Sequence, residues 1–261
     1  MRTRFRGIDV REGALLRGPA GWGEFAPFAE YDATECVPWL RAAREAADGG
    51  WPPPLRDRIP VNVTVPACGP QQAYDIVQAS GCRTAKVKVA ERGQTLAEDL
   101  ERVEAVRDAL GPAGKLRVDA NGGWGTDEAV AAIVLLHRFE LEYVEQPCET
   151  VSQLAAVRRK VDVPIAADES IRRASDPFLV ASQHAADIAV IKVAPLGGVR
   201  AALEIVERIG LPAVVSSALE TSVGIAAGVA LAAALPELPY ACGLATVALL
   251  AADVVADPFL P

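Results

Sequence analysis

Two lysines, three carboxylates and a third lysine carry the chemistry this chain can do. Lys86 and Lys88 sit in the run Thr84-Ala85-Lys86-Val87-Lys88-Val89-Ala90. Residues two apart on a strand share a face, so the two ammonium groups would stand side by side. Like charges crowded in a low-dielectric wall disfavour one another, and one lysine should surrender its proton more readily. That makes a base near neutral pH. Taken alone, the run also reads as an edge strand with two solvated lysines. Downstream, however, Asp119, Glu145, Asp168, Lys192 and the pair Ser216-Ser217 (at Ser217) follow at intervals of 26, 23, 24 and 25 residues. Each has a plain explanation by itself: Asp119 starts a turn, Glu145 precedes Gln146-Pro147, and Asp168 caps a helix. Those explanations do not supply the common phase. Three carboxylates converge stably only around a cation, and all-oxygen ligation favours Mg²⁺ or Mn²⁺ over zinc. With lysines on either side of them, the set fits removal of a proton next to a carboxylate, the metal holding the charge of the enediolate.

The elements that would position these residues form a regular beat. Short apolar strands are expected over 61–65, 84–89, 116–119, 141–145, 164–168, 187–193, 213–217 and 240–244. Helical stretches lie between them, among others over 95–110, 126–138, 151–159, 199–209 and 221–234. Strands without a polar face that alternate with helices pair in parallel with both sides covered. Eight such units close into a (β/α) barrel, whose chemistry sits at the C-terminal strand ends, where the charged residues fall. No Gly-x-Gly-x-x-Gly follows the first strand, which disfavours an open dinucleotide-binding sheet. Residues 1–57 read as a smaller domain, with short strand-like pieces at 14–17 around a Gly/Pro-rich stretch at 18–25, and a helix over 34–48 capped by Thr34 and stopped by Gly49-Gly50. Trp51-Pro52-Pro53-Pro54 reads as a stiff linker. The barrel would then span 58–255, with 256–261 left as a short C-terminal remnant.

Composition removes other classes. A formal charge of −8, from 26 basic and 34 acidic residues, gives no basic face for nucleic acid. The apolar run 223–235 is too short to span a bilayer and reads as a buried helix, and Met1–Arg6 shows no secretory signal. Five scattered cysteines outside any Cys-x-x-Cys pair fit a reduced, cytoplasmic chain, and two histidines (His137, His184) exclude a histidine-rich metal site.

Lys-x-Lys, Asp-x-Asn, Glu-Gln-Pro, Asp-Glu-Ser and a further lysine on successive strands resemble the enolase superfamily. Arg11-Glu12-Gly13, Gly21-Trp22-Gly23-Glu24-Phe25-Ala26-Pro27-Phe28, Val61-Asn62-Val63-Thr64-Val65, Glu145-Gln146-Pro147-Cys148, Lys192-Val193-Ala194-Pro195-Leu196-Gly197-Gly198 and the segment 216–224 further resemble its o-succinylbenzoate synthase family, of the actinobacterial kind. The resemblance implies a modified TIM-type (β/α)7β barrel with a small α+β capping domain. It implies Mg²⁺ (or Mn²⁺) on Asp119, Glu145 and Asp168, and Lys88 as the base in a syn dehydration of a small cyclohexadiene carboxylate in menaquinone biosynthesis. Lys86 would tune Lys88, and Lys192 would stabilise the enediolate from the opposite face. Asn121 and Glu169 would orient the metal ligands, Ser216, Ser217, Gly243 and Asn62 would contact substrate, and the loop at 21–28 would close over it. Such families usually carry a further strand before Arg2-Thr3-Arg4-Phe5 and more strands after 257–261, and here both look short. The same atoms would also suit racemisation of N-succinylamino acids. A Schiff-base aldolase on Lys88 or Lys192, or a non-catalytic barrel, are the readings from other classes. Leu196-Gly197-Gly198-Val199 reads first as a tight turn and second as an anion cradle at a helix start.

Overall fold

The computed structural model describes residues 1–2, 7–172 and 176–260, so most of the Arg2-Thr3-Arg4-Phe5 segment lies outside the described residues. Its contacts divide the chain into one unit of Met1–Pro60, Arg172–Ala174 and Ile191–Pro261, and a second of Val61–Ile171 and Ser175–Val190.

The first unit begins with an antiparallel hairpin, β1 (Ala14–Gly18) and β2 (Gly21–Phe25), with Ala14 opposite Phe25 and Gly18 opposite Gly21. Gly23 lets the hairpin press on the next helix, since a Cβ there would strike the Ala43 carbonyl. That helix, α1 (Ala33–Arg44), starts at Asp32 rather than Thr34. The shorter carboxylate reaches the Thr34 and Glu35 amides, at 2.8 and 2.9 Å, and Glu35 returns the bond to Asp32 N, closing a capping box. A wider turn over Glu45–Gly49 follows and ends at Gly50, whose φ of 63° needs glycine.

In the second unit strands and helices alternate. They are β3 (Val63–Val65), α2 (Pro70–Ser80), β4 (Thr84–Lys88), α3 (Leu96–Leu110), β5 (Lys115–Asp119), α4 (Thr126–Leu136), β6 (Leu141–Glu145), α5 (Val151–Arg158), β7 (Ile165–Ala167), α6 (Asp176–Ser182) and β8 (Ile188–Ile191). Every strand pairs in parallel with its neighbour in sequence. Register sorts the side chains by row. Lys86 lies opposite Arg117 and Arg117 opposite Tyr143, while two residues on Lys88 lies opposite Asp119 and Asp119 opposite Glu145. The alternate positions, among them Ala85, Val87, Leu116, Val118 and Val144, are apolar and buried. β4 is flanked on both sides, so the edge-strand reading fails: Lys86 and Lys88 are each only 6% exposed.

The first unit resumes with the single turn α7 (Val193–Leu196), then α8 (Val199–Ile209), β9 (Ala213–Val215) and α9 (Ser222–Ala234). α9 is apolar nearly all round and largely buried, as its composition predicts. Just beyond the stiff Trp51–Pro54 stretch the chain is fastened: Leu55 N donates to Ala233 O at 2.7 Å, and Arg56 Nη1 donates to Ala232 O at 2.5 Å at the helix end. Among the described residues the repeat supplies seven strands, β3 to β9, rather than the expected eight. The stretch 240–244 forms short bridges rather than a full strand: Gly243 N donates to Val215 O at 2.8 Å, Ser217 N to Gly243 O at 3.1 Å, and Cys242 N to Pro60 O at 2.7 Å.

One ion pair inside the second unit ties helix to strand end. Arg102 of α3 pairs with Asp99 at 2.7 Å and donates to Lys88 O at 2.9 Å and Cys68 O at 2.6 Å. Asp99 in turn accepts from Ala90 N at 2.8 Å. Asp99→Ala would strand a buried guanidinium, and a loss of about 3–5 kcal/mol is expected, read as a lower urea midpoint at unchanged slope.

Candidate active site

The two polar rows meet at the C-terminal ends of β4, β5 and β6. Lys86 Nζ donates to Glu145 Oε1 at 2.6 Å and lies 3.3 Å from Asp119 Oδ2. Lys88 Nζ donates to Asp119 Oδ2 and, at 2.6 Å, to Asn121 Oδ1. Asn121 continues the chain through Nδ2 to Glu169 Oε1 at 3.1 Å, and its own N–H donates to Asp119 Oδ1 at 3.0 Å. Asp168, just past β7, completes a cluster: one oxygen each from Asp119, Glu145 and Asp168 lie within 4.8 Å of one another, all buried. Glu145 Oε2 is buried and has no hydrogen-bond partner among the described residues. A buried carboxylate oxygen without a donor is costly, and a hard cation is the partner that an all-oxygen triad suits.

Electrostatics follow from this crowding. Burial pushes the Glu145 carboxyl up, Asp119 pushes it further, and against Lys86 it still reaches about 8. Burial pushes Asp119 the same way, but Lys88 and Lys86 outweigh it and hold the group well below the usual carboxylate range. For Lys86 burial favours the neutral amine, yet Glu145 and Asp119 prevail and hold the ammonium above its ordinary value. Mutual repulsion of the two lysines therefore does not govern Lys86. The carboxylates on the next strands, out of view in a local run, decide it.

The backbone turns sharply at each of these strand ends. Ala90, Asn121 and Gln146 have φ of 58°, 46° and 40°, one or two residues past Lys88, Asp119 and Glu145. Left-handed backbone in non-glycine residues costs of order 1–3 kcal/mol each and gathers at functional sites. Asp99 holds the Ala90 turn through its N–H. Gly123 completes the packing, since a Cβ there would come within 2.9 Å of the Ala90 Cβ.

Sequence reasoning passed over several residues here. Arg117, fully buried two positions before Asp119, donates to Glu142 Oε2 at 2.6 Å and to Asn62 Oδ1 at 3.2 Å, and stacks 4.7 Å from the Tyr143 ring. Its place on the lysine and carboxylate face follows from its spacing to Asp119, a usable signal. Asn62 lies just before β3, its amide engaged by Arg117 and by Val63 O at 3.2 Å. Asp99 and Arg102 carried no local signal, since i,i+3 pairs are common on exposed helix faces.

In the first unit, Lys192 is 4% exposed and precedes α7. Ser216 faces Gly243, where a Cβ would lie 2.6 Å from the Ser216 Oγ, and Ser217 Oγ meets Thr246 Oγ1 at 2.6 Å. The stretch 21–28, expected as a loop, is strand β2 over Gly21–Phe25 followed by a short irregular stretch, and it is locked by two residues the motif reading left without roles. Arg11 donates to the carbonyls of Ala26 and Pro27 and to those of Ala218 and Leu219 beyond β9, while its guanidinium lies 4.7 Å from the Phe28 ring. Glu24 accepts from Thr221 Oγ1 at 2.5 Å and Gly224 N at 2.9 Å, capping α9. The Gly197-Gly198 turn is tight, with φ of 95° and 126°, and the anion at the start of α8 is the protein's own: Glu45 accepts from Val199 N at 2.5 Å and Arg200 N at 3.2 Å.

Comparison with known proteins agrees with this geometry. Residues 70–261 match the enolase C-terminal domain-like family and residues 1–47 the enolase N-terminal domain-like family. The chain is 70% identical, over its whole length and 82% of the relative, to an o-succinylbenzoate synthase of Thermobifida fusca. It is 58% identical to that of Mycobacterium tuberculosis (strain ATCC 25618 / H37Rv), again over its whole length and 79% of the relative. Among solved structures, the L-Ala-D/L-Glu epimerase of Bacillus subtilis superposes with a TM-score of 0.79 at 28% identity, over 92% of this chain and 83% of that one. The chain belongs to the enolase superfamily, within the family of the o-succinylbenzoate synthases.

Proposed function

We propose that the protein is an o-succinylbenzoate synthase, a hydro-lyase that dehydrates 2-succinyl-6-hydroxy-2,4-cyclohexadiene-1-carboxylate. The observation that carries the reading is the meeting of Lys88 with a buried three-carboxylate cluster on consecutive strands. Lys88 takes the proton on the carbon bearing the carboxylate. It then returns that proton to the departing hydroxyl, so that the C–H and C–O bonds are exchanged for a ring double bond and water. Asn121, fixed by Glu169, holds the Lys88 amine in place between these two transfers. Lys86 stays cationic and offsets the charge of the substrate carboxylate, and Lys192 stabilises the enediolate. Asp119, Glu145 and Asp168 would hold Mg²⁺, which when bound supplies the positive charge that makes so weak a carbon acid accessible. Ser216, Ser217 and Gly243 are assigned to the succinyl tail and residues 1–57 to the cap. No helix is long and apolar enough to cross a membrane among the described residues, and a cytoplasmic setting fits the scattered cysteines.

Lys88→Ala is expected to lower kcat by about 10²–10⁴-fold while Mg²⁺ binding persists, followed by the absorbance change of dehydration and by calorimetry. EDTA should abolish turnover, and Mg²⁺ should restore it; undiminished activity in EDTA would point to the Schiff-base alternative.

Metal and pH are linked with a definite sign. The Glu145 pKa in the fold is raised from 4.5 to about 8, so its contribution to stability is complete below the ordinary value and is lost as pH climbs through about 8. The metal-free protein should therefore melt at progressively lower temperature across that window, as far as Glu145 governs it. Saturating Mg²⁺ should flatten the decline, and its binding should release protons below about pH 8, detected as buffer-dependent binding enthalpies.

A further inference from the structure

We propose that Gln146 is a positioning residue for the metal site, the strut that sets the spacing of the three carboxylate-bearing strand ends; this rests on the reading of Asp119, Glu145 and Asp168 as Mg²⁺ ligands. Gln146 is fully buried and follows Glu145 directly. Its four polar groups are all engaged, and they reach the segments of the other two ligands. The backbone carbonyl accepts from Gly122 N at 2.7 Å, in the turn after Asp119. The backbone N–H donates to Ala166 O at 2.8 Å, on the strand that leads to Asp168. The side-chain Oε1 accepts from Asp168 N at 2.9 Å and Ser170 N at 3.3 Å. The side-chain Nε2 donates to Cys148 O and Ser170 Oγ, both at 2.9 Å.

Two features single out a primary amide here. The φ of 40° is one that glycine adopts without strain, so a glutamine at this turn is there for its side chain. That side chain must accept at one end and donate at the other. Glutamate has the same shape but no donors at neutral pH, and its second oxygen would face the Cys148 carbonyl. Methionine fills the volume and offers neither function. Partners that orient metal ligands change metal affinity about 10–100-fold when removed, although they never touch the ion.

Calorimetric titration of the metal-free full-length protein with Mg²⁺ tests this. Gln146→Glu and Gln146→Met are expected to raise the Mg²⁺ Kd by about 10–100-fold relative to wild type. Ser170→Ala removes one bond of the four at the amide and is expected to weaken binding several-fold; it carries the test if the Gln146 variants do not fold. Melting temperatures of the metal-free variants separate a strut from a packing residue. A lowered melting temperature with wild-type Mg²⁺ affinity in the folded variants overturns the proposal. Failure of the wild-type protein to bind Mg²⁺ would instead overturn the metal assignment on which it rests.

Discussion

Three carboxylates and two lysines buried on one face of a parallel sheet set the terms for the second unit. None of the five could be removed from water alone, since an isolated buried ion costs several kcal/mol even after relaxation. Together they form an alternating array in which Lys86 answers Glu145 and Lys88 answers Asp119. Among the described residues Glu145 Oε2 lacks a partner, and that deficit suits a metal ion. The same balance explains why neighbouring carboxylates are pushed in opposite directions: Asp119 faces two ammonium groups, whereas Glu145 chiefly feels burial and Asp119.

Holding such an array requires rigid strand ends. The turns at Ala90, Asn121 and Gln146 lie in the left-handed region, and each is held by hydrogen bonds. Asp99 accepts from Ala90 N, Asn121 N donates to Asp119, and the amide of Gln146 reaches Asp168 and Ser170. Strain is kept only where the surroundings over-determine it, and here they are buried side chains with few alternatives. The Asp99–Arg102 pair extends this support to the carbonyl of Lys88 itself.

The first unit solves a different problem, the termination of helices, with its own acidic residues. Glu45 occupies the start of α8, and Glu24 and Asp253 occupy the start of α9. Helix N-termini are ready anion sites, so filling them internally makes the hairpin and the C-terminal stretch dependent on the helices they cap. Arg11 adds a guanidinium that gathers the carbonyls of Ala26 and Pro27 with those of Ala218 and Leu219.

Much of this was legible in the chain. The alternation of strands and helices, the phase of Lys86, Lys88, Asp119, Glu145, Asp168 and Lys192, and the burial of α9 all follow from period and composition, because side-chain direction repeats every two residues in a strand. Partner choice was not legible. That Lys86 belongs to Glu145, that Arg117 floors the lysine face, that Gln146 bridges three strand ends and that Asp99 supports Ala90 depend on register between segments far apart in sequence. The stretch 240–244 read as a full strand, and it pairs on both sides, to Val215 and Ser217 and to Pro60, but only as short bridges, an extent that a local pattern does not carry. Thr34 looked like a cap until the geometry favoured Asp32, two residues earlier. The sequence by itself determined which residues share a strand face, since periodicity is local. Which charge answers which was decided only by the tertiary structure, since electrostatic pairing and backbone strain are settled across strands.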